Sequence, residues 1–197
     1  MDVMMFVLWF AVGFVFGSVP SGLWLVKAIH GIDIREFGST NVFRTVGGKT
    51  AALVLLCDAG KGIIAVMIAQ SMIGGDLYAM LFAAIGALLG HNYSLFLGFK
   101  GGRGVATGLG LLIFLMPKVS GICFIVWLAI VLATRYVSLG SCVGAFCAPC
   151  LAWYFGYPLP VFLFAAFVII RHKDNIKRLL NGTESKIRQG HAEDLKK

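Results

Sequence analysis

The chain has 197 residues, of which 59% are hydrophobic and only 13% are charged, and its formal net charge is +8. A soluble domain of this length needs more charged residues on its surface, so the composition excludes an ordinary water-soluble protein and indicates one surrounded by lipid. The basic excess favours anionic partners such as lipid headgroups or phosphorylated substrates, although membrane topology alone accounts for most of it.

Five long apolar stretches predict the membrane-spanning helices. A helix needs about 20 apolar residues to cross the hydrocarbon core, and each of the first three stretches fits one crossing. The last two are longer, and prolines interrupt them at Pro117 and at Pro158–Pro160. Because proline breaks a helix, we divide each of these two into a pair. The stretches are Val3–Val26, Ala51–Met72, Leu77–Phe99, Val105–Thr134 and Val137–Ile170.

The positions of the basic residues predict the orientation of these helices. With seven crossings and the N-terminus outside, every lysine and arginine except Lys118 lies on the inner side. A single crossing over Val105–Thr134 would instead place Arg135 and the basic tail outside. The sequence therefore predicts an all-α, polytopic integral membrane protein of seven transmembrane helices, some short or broken, with its C-terminus inside. We expect one membrane-embedded domain over residues 1–197, with a basic cytosolic tail at residues 171–197.

Two polar features fall within the predicted spans. The small residues and the proline of Gly17–Gly22 permit close helix packing or a helix break, and the alternative is a kink that exposes Ser18 or Ser21 to a polar site. Asp58 and Lys61 are three residues apart on one helix face, so they can pair. We expect an ion pair near the membrane surface that caps or anchors the second span, and a direct functional role is the alternative.

The first inner loop, between Asp33 and Arg44, carries many hydrogen-bonding groups. Ser39 and Asn41 offer hydroxyl and amide groups within it. Arg44 offers a planar guanidinium group that suits phosphate or carboxylate. The loop therefore indicates an anion-binding segment, although an ordinary surface loop is also polar.

The glycine-rich loop between Gly98 and Gly104 is the strongest indication of phosphate binding. Glycines leave backbone N–H groups uncovered, two cations add charge, and the loop leads into the N-terminus of a helix. Its glycine spacing matches neither a P-loop nor a dinucleotide-binding motif. A plain flexible loop is the alternative. The candidate phosphate ligands are Lys100, Gly101, Gly102, Arg103 and Gly104.

The last two motifs lie at predicted inner ends of helices. Ser138 or Ser141 can act as a helix cap or contribute to a polar site. His172, Asn175 and Arg178 are three residues apart, so in a helix they share one face. His172 titrates near neutrality and can serve as a base or an acid. A tail that binds anionic lipid explains the charges but leaves the histidine and the asparagine unexplained.

Taken together, these motifs resemble those of the bacterial acyl-phosphate-dependent glycerol-3-phosphate 1-acyltransferases, the PlsY family, over nearly the whole chain. The resemblance implies an enzyme of the bacterial cytoplasmic (inner) membrane whose active site faces the cytosol. It implies transfer of a fatty acyl group to glycerol 3-phosphate in phospholipid biosynthesis, giving lysophosphatidic acid and phosphate. By resemblance, the substrate-binding residues are Ser39, Asn41, Arg44, Lys100, Gly101, Gly102, Arg103, Gly104, Arg178 and Glu184, and the catalytic residues are Ser141, His172 and Asn175.

This reaction requires that two phosphates be held, a hydroxyl oriented and an oxyanion stabilised. Because acyl phosphate is already activated, no covalent enzyme intermediate is needed. The base is either His172 or a phosphate oxygen of the substrate, with Ser141 and His172 orienting the substrate. The scattered carboxylates predict no metal site, and we expect no cofactor.

The expected partners are acyl phosphate, glycerol 3-phosphate and membrane lipid, with no nucleic acid. We expect a monomer that works near the enzyme producing acyl phosphate. The alternative function is a transporter or flippase for a phosphorylated or anionic solute. A transport path needs polar groups at mid-membrane or on the outer side, and the sequence has few there.

Overall fold

The computed structural model describes residues 3–33, 39–72, 74–157 and 161–187, and within these ranges the chain forms α-helices but no β-strand. The predicted all-α class is therefore confirmed for the described residues. One 3-10 helix covers Leu95–Leu97. The α-helices are α1 (Val3–Ser18), α2 (Ser21–His30), α3 (Ser39–Val46), α4 (Gly48–Met72), α5 (Leu77–Asn92), α6 (Val105–Leu115), α7 (Pro117–Thr134), α8 (Val137–Tyr154), α9 (Val161–Arg171) and α10 (Lys173–Leu180).

Several of these helices have the length and composition of membrane spans. Four described segments are long and apolar enough to cross a membrane: Val3–His30, which combines α1 and α2, and the helices α4, α7 and α8. Three shorter apolar helices, α5, α6 and α9, accompany them. Large apolar side chains such as Leu56, Ile125 and Phe146 are exposed on the outer faces. Side chains of this kind are stable there when lipid surrounds them, so the chain is a multi-pass membrane protein.

The helix break predicted at Pro117 is confirmed. Helix α6 ends at Leu115 and α7 begins at Pro117, a first helical position at which the missing N–H costs nothing. The second predicted break, Pro158–Pro160, lies outside the described residues. Helix α8 ends before it, at Tyr154, and α9 begins after it, at Val161.

The prediction of one uninterrupted span over Leu77–Phe99 is wrong for its last residues. Helix α5 ends at Asn92, and the chain then makes a tight turn. The carbonyl oxygen of Ser94 accepts hydrogen bonds from the backbone N–H groups of Leu97 and Phe99, at 3.2 and 2.8 Å. The turn was hidden in the sequence because its residues are apolar, and hydrophobicity does not distinguish a short apolar turn from a continued helix.

Helices α1 and α5 pack with their backbones in contact. Gly13 and Gly17 on α1 face the other helix, as do Gly86 and Gly90 on α5. A Cβ atom built on Gly17 would lie 2.0 Å from the carbonyl oxygen of Ala87, and the other three glycines would meet backbone oxygens at 2.0 to 2.2 Å. Glycines four residues apart permit this approach between membrane helices. The close packing predicted from Gly17–Gly22 is confirmed.

The first apolar stretch is broken at Val19 and Pro20, between α1 and α2. The ammonium group of Lys61 on α4 donates to the carbonyl oxygen of Val19 at 2.9 Å. The hydroxyl of Ser21, at the start of α2, donates to Oδ1 of Asp58 at 2.7 Å. Backbone groups released at a helix break need new hydrogen-bond partners, and α4 supplies one of them here.

The ion pair predicted on α4 is present, with 2.9 Å between Nζ of Lys61 and Oδ1 of Asp58. The two residues are only 8% and 4% exposed, so the pair lies in the interior of the protein. Asp58 also lies well inside α4, which begins at Gly48, so the pair does not cap this helix. Nδ1 of His91 on α5 lies 3.6 Å from the same carboxylate oxygen. The pair therefore joins the α1–α2 break, α4 and α5.

Replacing Gly17 by alanine should destabilise the protein, because the new methyl group would overlap the backbone of α5. Overpacking of this kind costs about 1–3 kcal/mol or more. The measurement is the thermal unfolding midpoint in detergent. Gly121→Ala on α7, where a Cβ would meet nothing within 4 Å, is the matched control and should keep the midpoint or raise it. Equal midpoints for the two variants would contradict the packing described here.

Lys61→Met should destabilise the protein more strongly, because it leaves the carboxylate of Asp58 buried without its charged partner. Removing one member of a buried pair costs about 3–5 kcal/mol. The double variant Asp58→Asn/Lys61→Met removes both charges and should recover part of that loss, since an asparagine oxygen still accepts from Ser21. Unfolding midpoints of the two variants in detergent provide the comparison, and a double variant less stable than Lys61→Met would reject this explanation.

Candidate active site

Three polar side chains from the last two predicted motifs converge on the carboxylate of Glu184. Its Oε1 accepts hydrogen bonds from the hydroxyl of Ser138 at 2.7 Å and from the amide of Asn175 at 2.6 Å. Its Oε2 accepts from Nε of Arg178 at 2.7 Å. The side chain of Glu184 is 7% exposed. This one carboxylate therefore holds together α8, α10 and the segment that follows α10.

The pKa of Glu184 lies below its ordinary value of 4.5. Burial acts to raise this pKa, but the hydrogen bonds from Ser138, Asn175 and Arg178, together with the charge of Arg178, outweigh burial. The side chain is therefore ionised at neutral pH, where it accepts hydrogen bonds and donates none. Its evident role is to orient the three side chains around it.

His172 lies between α9 and α10 and is 2% exposed. Its Nδ1 lies 2.7 Å from the carbonyl oxygen of Val168, which only accepts, so Nδ1 carries the proton and Nε2 the lone pair. Burial lowers the pKa of His172 below 6.5; the Val168 hydrogen bond and Glu184 oppose the shift, whereas Arg103 and Arg171 add to it. His172 is therefore neutral at neutral pH. His172 was predicted to act as a base or an acid. A neutral imidazole with a lone pair on Nε2 can accept a proton or a hydrogen bond there, but it is not in the charged form that acts as an acid.

The glycine-rich loop lies directly against His91. A Cβ on Gly101 would lie 2.2 Å from the carbonyl oxygen of His91, and one on Gly102 would lie 2.1 Å from its Nε2. Gly104 has a φ of +80° and begins α6 as its N-cap, so it needs glycine for a different reason. The N–H of Gly102 donates to the carbonyl oxygen of His91 at 3.0 Å. This N–H is therefore held by the protein, contrary to the expectation that the loop's N–H groups are uncovered.

The two cations of the loop are exposed. Arg103 is close enough to influence the pKa of His172, so it faces the polar residues of α8 to α10. Lys100 lies at the other end, where an isolated bridge pairs it with Ser94. The hydroxyl of Ser94 donates to the carbonyl oxygen of Ser18 at the end of α1. The loop is thus connected to the α1–α2 break on one side and to the C-terminal residues on the other.

Arg44 reaches the same region from α3, a helix that covers part of the segment predicted as the first loop. Its guanidinium donates to the carbonyl oxygen of Ser185 at 3.0 Å, beside Glu184. Asn41 lies on α3 with Arg44, and its carbonyl oxygen accepts from the hydroxyl of Thr45. The side chain of Ser39 lies outside the described residues.

Ser141 lies one helical turn beyond Ser138 on α8. Its hydroxyl donates to the carbonyl oxygen of Val137 at 2.9 Å, within its own helix. The structure therefore brings Arg44, Arg103, His172, Asn175, Arg178 and Glu184 into one region and places Ser141 next to it.

Sequence reasoning missed two contributors, His91 beneath the loop and Arg171 beside it, although both lie within the motifs that indicated the site.

A region of this kind suits anionic, phosphorylated ligands. Arginine side chains bind phosphate through paired hydrogen bonds, and three of them converge here from separate parts of the chain. Beside them, a neutral histidine can accept a hydrogen bond from a hydroxyl group. The arrangement can therefore hold a phosphate and orient an alcohol at one place.

Comparison with known proteins identifies the family. The family model for glycerol-3-phosphate acyltransferase matches residues 7–182. The chain belongs to the glycerol-3-phosphate acyltransferase family. This confirms the resemblance inferred from the motifs, and it makes the protein an acyltransferase.

Curated relatives match almost the full length. The glycerol-3-phosphate acyltransferase of Synechococcus sp. (strain JA-3-3Ab) is 45% identical over 190 residues, covering 92% of this chain and 93% of the relative. Glycerol-3-phosphate acyltransferase 2 of Moorella thermoacetica is 45% identical over 192 residues, covering 93% and 98%.

Two crystal structures of PlsY, an integral membrane glycerol 3-phosphate acyltransferase, share the fold at 36% identity. The glycerol 3-phosphate form has a TM-score of 0.86 and covers 98% of this chain and 99% of PlsY. The lysophosphatidic acid form has a TM-score of 0.84 and covers 92% and 94%.

Glu184→Gln should lower the stability of the acyltransferase in a pH-dependent way. The pKa of Glu184 is depressed in the folded protein, so its carboxylate contributes stability above pH 4.5 that is lost as the pH falls through the folded-state pKa. The difference between the wild-type and variant unfolding midpoints should therefore be largest at neutral pH and become smaller in acid. Asp174→Asn, at an exposed carboxylate on α10, is the control and should show little gap. A Glu184→Gln gap that widens in acid would contradict the hydrogen-bonding role.

Proposed function

We propose that this acyltransferase moves a fatty acyl group from acyl phosphate to the 1-hydroxyl of glycerol 3-phosphate, giving lysophosphatidic acid and inorganic phosphate. Family membership supports the acceptor, as does likeness to the glycerol 3-phosphate and lysophosphatidic acid forms of PlsY. The donor follows from the resemblance of the polar motifs. The observation that carries the proposal is the neutral His172 beside arginines from three parts of the chain.

In this reaction the hydroxyl oxygen of glycerol 3-phosphate attacks the carbonyl carbon of acyl phosphate. The new C–O ester bond forms, the bond between the carbonyl carbon and the phosphate oxygen breaks, and phosphate leaves with the electron pair. Much of the catalysis is then the placement of two phosphates and one hydroxyl. We assign the phosphates to Arg44, Lys100, Arg103 and the glycine loop, with Arg178 oriented by Glu184.

The hydroxyl proton needs an acceptor as the ester bond forms. Nε2 of His172 has a free lone pair, because Nδ1 uses its proton on Val168. Since the pKa of His172 is lowered, its imidazole is a weak base. We therefore assign His172 the role of orienting the hydroxyl with Ser141 and Asn175, and the proton passes to a phosphate oxygen of the substrate.

We also propose a topology for the enzyme. Four segments long enough to cross a membrane and three shorter apolar helices add up to the seven predicted crossings, which supports this count. The positions of the basic residues support an N-terminus outside and a C-terminus inside. All the candidate site residues then lie on the cytosolic side of the bacterial inner membrane. We propose a monomer, supplied by a neighbouring enzyme that makes acyl phosphate.

The reaction is tested with purified protein in detergent, palmitoyl phosphate and radiolabelled glycerol 3-phosphate, without added metal. We expect labelled lysophosphatidic acid from palmitoyl phosphate and none from palmitoyl-CoA in a parallel assay. Product from palmitoyl-CoA alone would overturn the proposed donor. No product from either donor, in protein shown to be folded, would overturn acyl transfer and direct the search to transport in sealed vesicles.

The role of His172 is tested by two substitutions. His172→Ala should lower kcat by roughly 100-fold, because the hydroxyl loses the group that orients it and a small misplacement of a reacting atom can cost that much. His172→Gln should recover part of this loss, because its amide oxygen still accepts a hydrogen bond from the hydroxyl but cannot take up a proton. Steady-state kcat and KM for glycerol 3-phosphate provide the comparison. Equal losses in the two variants would instead make His172 the base.

A further inference from the structure

Arg171, the last residue of α9, reaches across to the glycine-rich loop. Its Nε donates to the carbonyl oxygen of Gly102 at 3.0 Å, and its Nη2 donates to the carbonyl oxygen of Gly101 at 2.7 Å. The guanidinium carbon lies 5.1 Å from the centre of the Tyr93 ring, in cation–π contact. One planar side chain therefore binds two consecutive carbonyls of the loop and is itself supported by an aromatic ring.

We propose that Arg171 is a positioning residue that orients the peptide groups of the glycine-rich loop for binding of a substrate phosphate. The inference rests on the proposed function, in which this loop contacts a phosphate. Arg171 acts through Gly101 and Gly102, and the peptide geometry explains how.

In a trans peptide, the carbonyl and the N–H point in opposite directions, and the described residues contain no cis bond. Because the carbonyl oxygen of Gly101 faces Arg171, the N–H of Gly102 points away from it. The structure agrees with this geometry, because the N–H of Gly102 donates to the carbonyl oxygen of His91. By the same geometry, holding the carbonyl of Gly102 directs the N–H of Arg103 away from Arg171. Two consecutive peptides are thus held in one orientation.

Glycine allows a peptide group to rotate into the opposite orientation at little cost, so other residues must hold these two peptides in place. The N–H of Gly102 is bound to His91, which fixes the first peptide, so the second peptide, between Gly102 and Arg103, is the one that faces a ligand. If that peptide rotated, a carbonyl oxygen would replace its N–H on the other side of the loop. A carbonyl oxygen carries partial negative charge and repels phosphate, whereas an N–H attracts it. The fork of Arg171 covers both carbonyl oxygens, so it selects the loop conformation suited to an anion.

Arg171 also connects the loop to the residue that we assign to the hydroxyl. It directly precedes His172, so the loop contact and the imidazole share one short piece of backbone. The hydrogen bonds of Arg171 to Gly101 and Gly102 therefore keep the loop close to the imidazole. A contact that sets the distance between a bound phosphate and the reacting hydroxyl contributes to catalysis by placement.

The test compares Arg171→Met, which removes the charge and the fork, with Arg171→Lys, which keeps the charge but not the planar pair of donors. We expect Arg171→Met to raise the KM for one of the two phosphorylated substrates by roughly 10-fold or more, the effect of losing hydrogen bonds from a charged group. Arg171→Lys should recover only part of this, and kcat should change less than KM. Measuring KM separately for glycerol 3-phosphate and palmitoyl phosphate shows which phosphate the loop binds.

Lys173→Met is the matched control, since it removes one exposed positive charge two residues away and should leave both KM values unchanged. A wild-type KM in Arg171→Lys would overturn the proposal, because charge alone would then suffice. A lower unfolding midpoint in Arg171→Met with both KM values unchanged would also overturn it, because the role would then be purely structural. If Arg171→Met does not fold, Arg171→Lys still carries the test.

A second readout separates this inference from the proposed reaction. Glycerol 3-phosphate that binds the folded enzyme raises its unfolding midpoint whether or not acyl transfer occurs. If the loop binds this substrate, the increase should be smaller in Arg171→Lys than in Lys173→Met. Failure of the wild type to form lysophosphatidic acid would reject the function, whereas an active wild type with unaffected Arg171 variants would reject only the inference.

Discussion

The buried ion pair between Lys61 and Asp58 is the interaction on which the N-terminal part of the structure depends. A helix break leaves backbone groups without their helical partners, and inside a protein these need other hydrogen bonds. Lys61 donates to the carbonyl oxygen of Val19 at the break, and Asp58 accepts from Ser21 just beyond it. The same carboxylate lies beside His91, so one pair of charges holds three helical segments together. The two charges tolerate burial because each is the other's partner.

The contacts continue from this joint to the candidate site. The backbone of His91 accepts from the N–H of Gly102, and Arg171 binds the carbonyl of Gly101 on the opposite side of the same peptide group. The loop is therefore clamped between α5 and the end of α9, and His172 follows directly. A site built this way is ordered before its substrates arrive, which lets its cations and its imidazole act without reorganising.

Much of this site could be predicted from the spacing of residues along the sequence. The face shared by His172, Asn175 and Arg178 follows from helical periodicity, and the cations and glycines of the loop indicate an anion in any fold. Other features of the site could not be predicted from the sequence. Ser141 was placed in the site, but its hydroxyl binds its own helix, whereas neighbouring Ser138 binds Glu184. Nothing in the sequence distinguishes the two serines, because the choice depends on where the segment after α10 lies against α8.

The sequence by itself determined the elements that depend on neighbouring residues. These are the apolar helices, the break at Pro117, the spacing that pairs Asp58 with Lys61, and the family, which its motifs identify. Only the tertiary structure decided which distant groups meet: Lys61 with Val19, Arg171 with Gly101 and Arg44 with Ser185. The physical reason is range. Periodicity and proline act within a few residues, whereas these hydrogen bonds join segments that the packing of α1 on α5 and of α8 on its neighbours brings together.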